Sequence, residues 1–188
     1  MKKASRKPEA RPPLTVSLSD LVSGGSDNTF RTLVHGLLAL GARLESVRSG
    51  FGTLIGLSGI QYTILISIGH LEIDSNVSVT RIARHLSVSG GFVTVERGKL
   101  IKLGLLTKQT DPKDRRRVCL RLTSKGLDLL ASLAPAQRKV NDVLFEPIEA
   151  EQFPALRNLV DRLVKSGDQA VALLEYLTRR ENEIRSER

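Results

Sequence analysis

Three features of the sequence predict a mainly α-helical fold with one small β-hairpin wing: a winged helix-turn-helix between N- and C-terminal helices. Apolar residues recur at three- and four-residue spacing along most of the chain. Two short periodic segments meet at Ser87-Val88-Ser89. An alternating strand pair then flanks Asp111-Pro112-Lys113-Asp114, a turn signal with Pro in its favoured second place.

Residues 1–26 carry Lys2, Lys3, Arg6, Lys7 and Arg11 with three prolines and no periodicity, and are expected to be a mobile basic arm. Asp27 or Asn28 can cap a first helix with apolar Phe30, Leu33, Val34, Leu37, Leu38 and Leu44. A glycine-rich link over 50–56 leads to Ser58-Gly59-Ile60-Gln61, whose spacing is that of a capping box, opening a second, mostly buried helix with Ile60, Ile64, Leu65 and Ile68. Ser78 can cap a short third helix carrying Val79, Ile82, Ala83 and Leu86. Ser89 can cap the reading helix, which runs to about Leu103 and ends at Gly104.

Leu105 to Thr110 and Arg117 to Thr123 read as strands. On the second, Val118, Leu120 and Leu122 alternate with Arg117, Cys119 and Arg121, so that one face packs and the other meets solvent or phosphate. Thr123 or Ser124 caps a long helix expected to kink at Pro135. A final helix carries Leu156, Leu159, Val160, Leu163, Val164, Leu174 and Leu177, with a bend expected at Gly167. The predicted organisation is one domain over 27–180, with 58–126 forming the winged module, 27–57 and 127–180 supplying dimerisation helices, and a charged tail over 181–188. The long apolar stripes of the terminal helices exceed what the winged module can cover, which predicts a homodimer.

The charge is segregated. Between Ser78 and Lys125 stand 12 Lys and Arg against 3 Asp and Glu, whereas the other residues hold 17 of each sign. One basic module on a neutral scaffold is the footprint of a protein that binds a polyanion, with double-stranded DNA the favoured partner. In the reading helix, Ser89, Gly91, Thr94, Arg97 and Lys99 are the candidate contacts. Small residues at its start let backbone N–H groups approach a groove, Arg97 can fork onto guanine, and Lys99 suits a phosphate. Phe92 and Val93 read as core. At the hairpin tip, Lys113, Arg115, Arg116 and Arg117 suit a narrow minor groove, with Asp114 orienting Arg116. Ser78, Arg81 and Lys108 are weaker phosphate candidates.

One cysteine and three dispersed histidines offer neither an intrachain disulfide nor a metal cluster, so no metal or other cofactor is expected and Cys119 receives no role. No Gly-rich phosphate loop or activated nucleophile marks an enzyme. No signal peptide or membrane span is readable, and a cytoplasmic location is expected. A winged protein-docking or RNA-binding module is the alternative, because fold alone does not fix function.

Residues 58–126 resemble the MarR family of bacterial winged-helix regulators. The marks are Leu57-Ser58-x-x-Gln61, Ile82-Ala83-x-x-Leu86-x-Val88-Ser89, Val93-Thr94 with Leu100, Gly104-Leu105, Asp111-Pro112-x-Asp114-Arg115-Arg116, and Leu122-Thr123-x-x-Gly126. The resemblance implies an intertwined homodimer on a palindromic operator, commonly repressing nearby genes and released by a small, often aromatic and anionic ligand. It implies that Arg116 is the wing arginine and Asp114 its partner. Val95, Glu96, Arg97 and Gly98 depart from the family's basic-then-apolar pattern, and Cys119 is not at the family's peroxide-sensing position.

Overall fold

The computed structural model describes residues 13–72, 77–110 and 118–186. The described elements are α1 (Asn28–Leu54), α2 (Gly59–Glu72), α3 (Val79–Leu86), α4 (Gly90–Lys102), β1 (Leu106–Thr110), β2 (Val118–Leu122), α5 (Ser124–Phe145) and α6 (Phe153–Ser186), preceded by a 3-10 turn over Ser19–Leu21. The chain has the mainly helical architecture with a two-stranded wing that its periodicity predicts. It divides into two compact units, Met1–Pro135 and Ala136–Arg188.

The first unit is built around α2. Ile64, Leu65 and Ile68 pack with Ile82 of α3, Val93 and Leu100 of α4, Leu106 of β1 and Leu120 of β2 in one apolar core. Capping follows the sequence closely. The backbone N–H of Ser58 donates to Gln61 Oε1 at 3.1 Å, and that of Gln61 to Ser58 Oγ at 3.3 Å, completing the capping box. Ser78 Oγ accepts from the Arg81 N–H, and Ser89 Oγ from the Phe92 N–H, at 3.2 Å each. Of the two candidates for α5, Thr123 is the cap: its Oγ1 accepts from the Gly126 N–H and donates to the Gly104 carbonyl. Gly104 ends the reading-helix segment with φ +72°, the left-handed conformation expected there.

Several local expectations are revised. Of the arm expected over 1–26, residues 1–12 lie outside the described residues, and 13–26 are tied to α1: Thr15 donates through both its N–H and its hydroxyl to Asp27 Oδ2 at 2.7 Å, and Arg31 donates from one terminal nitrogen to the Pro13 carbonyl. Asp27 stands at the N-cap of α1 without capping it, because its carboxylate is engaged by Thr15 and by Arg31 Nε at 2.8 Å. The glycine-rich stretch is helical through Leu54, and only Gly56, at φ +71°, leaves the helix. Gly52 permits this, since a Cβ there would lie 2.9 Å from the backbone oxygens of Leu57 and Ser58.

The wing pairs antiparallel, Leu106 opposite Leu122 and Lys108 opposite Leu120, and the N–H of Leu120 also donates to Val77 at 2.8 Å. Its alternation is imperfect: Val118 is exposed, whereas Cys119 and Leu120 are both buried. α5 continues through Pro135. In the second unit α6 is unbroken at Gly167 and remains helical to Ser186, through most of the expected charged tail. None of its residues is buried.

Candidate nucleic-acid interface

The reading helix α4 divides into two sides. Val93, Glu96 and Leu100 are buried, while Gly91, Phe92, Thr94, Val95, Lys99 and Lys102 are exposed. Gly90 and Gly91 have open space where a side chain would stand, so the capped N-terminus presents bare backbone. Thr94 Oγ1 is hydrogen-bonded back to the Gly90 carbonyl at 2.9 Å, leaving its methyl and oxygen lone pairs outward on an exposed residue. Phe92, expected in the core, is 42% exposed, and Val95 is 58% exposed beside it. Core-building needs explain only Val93 of the pair Phe92-Val93, because one helical position separates the buried side from the open one.

Arg97 is half-buried on the flank of α4, and its Nε is buried without a hydrogen-bond partner among the described residues. It does not pair with Glu96. That carboxylate is only 6% exposed and accepts instead from Lys99 Nζ at 2.7 Å and from Gln61 Nε2 at 3.1 Å. The hydrogen bond from Lys99 holds the Glu96 carboxyl below its ordinary range against the opposing cost of burial, with Gln61 adding to the effect. The phosphate contact expected of Lys99 therefore meets a competing anion within its own helix.

The other candidates separate similarly. Ser78 is occupied as a helix cap, and Arg81 is half-buried with a terminal nitrogen 3.4 Å from the Leu71 carbonyl. Arg121, on the face expected to meet solvent or phosphate, pairs with Glu72 at 2.8 Å. Lys108 is exposed on β1, and Arg84 and Lys102 are further exposed cations of the same module. Lys113, Asp114, Arg115, Arg116 and Arg117 lie outside the described residues. His70 and His85, read as unrelated, face one another with ring centroids 6.3 Å apart. Burial, then His70, Arg48 and Arg81, lower the pKa of His85. Among the described residues no cluster of His, Cys, Asp and Glu could hold a metal, and no single helix is long and apolar enough to cross a membrane.

Residues 55–117 match the family model described as MarR family, over the stretch that contains α2, α3, α4 and β1. Over these residues the winged helix-turn-helix is similar to that of the MarR family. An uncharacterized HTH-type transcriptional regulator of Bacillus subtilis (strain 168), YhbI, is 26% identical over 109 residues, spanning 58% of this chain and 69% of that protein. Among solved structures, MarR from Oenococcus oeni PSU-1 superposes with a TM-score of 0.58 at 20% identity, over 71% of this chain and 98% of its own. A MarR protein from Peptoclostridium difficile gives 0.59 at 18%, over 84% and 96%. A cysteine-to-serine mutant of E. coli MarR, complexed with operator DNA, gives 0.57 at 18%, over 72% and 96%. At these identities the superpositions establish the MarR fold.

Proposed function

We propose that this chain is a MarR-type, sequence-specific regulator of transcription that binds double-stranded DNA as a homodimer, in the cytoplasm, on a palindromic operator. The observation that carries the reading is the placement of the chain's entire surplus of positive charge between Ser78 and Lys125 of the winged module, whose reading helix keeps a capped, glycine-opened N-terminus and an uncovered face. The operator DNA named with the E. coli relative supports it.

In this reading the backbone near Ser89 and Gly91 meets phosphate at the groove edge, and Thr94 contacts base edges. Phe92 and Val95, which sequence reasoning left out, supply apolar contacts of the kind that distinguish a thymine methyl. Arg97 contributes from the flank of the helix. Arg84, Lys102 and Lys108 neutralise phosphates. Lys113, Arg115, Arg116 and Arg117 enter the minor groove, with Asp114 directing Arg116. Repression of nearby genes, relieved by a small aromatic or anionic ligand, extends the proposal on the strength of the family resemblance.

Fluorescence anisotropy against an operator selected from a random duplex pool tests the reading. If 6 to 10 phosphates are neutralised, affinity falls by about a thousandfold or more between 50 and 200 mM salt. The selected palindrome binds more tightly than random duplex throughout, and Arg116→Ala weakens both. A protein that shows no preference for any palindrome, or that is indifferent to Arg116→Ala, is not this regulator.

A further inference from the structure

Glu96 is an acid where the fold asks for an apolar side chain. It lies on the buried side of α4 with Val93 and Leu100, and is held from two directions. Gln61 reaches it from α2 at 3.1 Å, with the Gln61 amide oxygen fixed in turn by the Ser58 N–H at 3.1 Å. Lys99, one turn along α4, reaches it at 2.7 Å, its side chain 55% exposed against 8% for that of Glu96. A fixed buried carboxylate thus grips an exposed cation of the reading helix. The Glu96 carboxyl sits below its ordinary range, so it is ionised at neutral pH.

An ammonium already paired with a carboxylate releases little when it nears a phosphate, because the pair is close to neutral as seen by the DNA. We propose that Glu96 is a specificity-determining positioning residue: with Gln61 as its brace, it neutralises Lys99 and so suppresses sequence-independent attraction of the reading helix to phosphate. The proposal rests on the DNA-binding reading above. It concerns how strongly this helix holds any duplex, and leaves base recognition to the outward residues.

Binding to a random duplex, measured across 50 to 200 mM salt, tests it with Glu96→Gln, Lys99→Met and the double variant in the full-length protein, each checked by circular dichroism. Glu96→Gln keeps the shape and an acceptor for Gln61 but frees the ammonium. The slope of log affinity against log salt then steepens by about 0.9, which amounts to about fivefold tighter random-duplex binding near 0.15 M salt, and Lys99→Met in the same chain reverses the change. Should Glu96→Gln not fold, Lys99→Met alone still decides: a neutralised lysine alters the slope by well under half of that value, and a free phosphate contact by all of it. A wild type that binds no duplex removes the DNA-binding reading and this proposal together. A wild type that binds, with an unchanged or shallower slope in Glu96→Gln, overturns this proposal alone.

Discussion

An aspartate placed just before a helix ordinarily accepts from the first free N–H groups; Asp27 instead spends its oxygens on Thr15 and Arg31. Arg31 foremost, then Thr15, holds its carboxyl well below the usual carboxylate range. A depressed carboxyl adds stability that is complete above its ordinary pKa of 3.8 and is lost as the pH falls through the lower folded value. Asp27→Asn should therefore lower the thermal midpoint at pH 7, with the gap to wild type persisting to about pH 4 and closing in stronger acid. A gap independent of pH would show that the side chain acts by shape alone. The contrast with Ser78 and Ser89 is instructive. Their partners lie three residues away and were legible in the sequence, whereas Thr15 lies 12 residues from Asp27, and Gln61 lies 35 from Glu96. Nothing local announces such pairs.

The element boundaries depended on packing in the same way. Glycines at 50, 52 and 56 suggested a link, yet Gly50 and Gly52 are helical, and at Gly52 a neighbouring backbone comes close enough to require the missing side chain. Gly126, in the first turn of α5, is the stricter case, since a Cβ there would collide with the Leu105 carbonyl oxygen. Gly126→Ala should cost about 1 to 3 kcal/mol of stability, read from the shift of the urea midpoint. Ser89→Ala, which removes the cap of the reading helix, should cost about 1 kcal/mol and weaken DNA binding beyond that loss, because the capped turn is part of the proposed contact. A Gly126→Ala chain as stable as wild type would mean that α5 approaches the Leu105 backbone less closely than this. The exposure of Phe92 was illegible for a related reason: periodicity assigns an apolar residue to the core and cannot identify the one reserved for a partner.

At the scale of the whole molecule, two sequence properties carried furthest. The charge surplus marked the winged module before any contact was known, and the apolar stripe of α6 marked a surface in need of cover. That helix has no buried residue, and Leu159, Leu163, Leu174 and Leu177 are all about half-exposed or more. Apolar surface of this extent on one helix is a mark of an interaction face. Replacing Leu159 and Leu163 together by Glu should shift the protein toward monomer in sedimentation equilibrium and weaken operator binding through lost pairing, with the winged module still folded. In the proposed homodimer pairing matters because two-fold symmetry would set two reading helices about 34 to 36 Å apart, one helical turn of DNA. Sedimentation of the wild-type protein with its selected operator at 0.15 M salt bears most directly on this. The account predicts two chains per palindromic duplex and markedly weaker association with a duplex keeping only one half-site; one chain per duplex, with both DNAs bound equally, would contradict it.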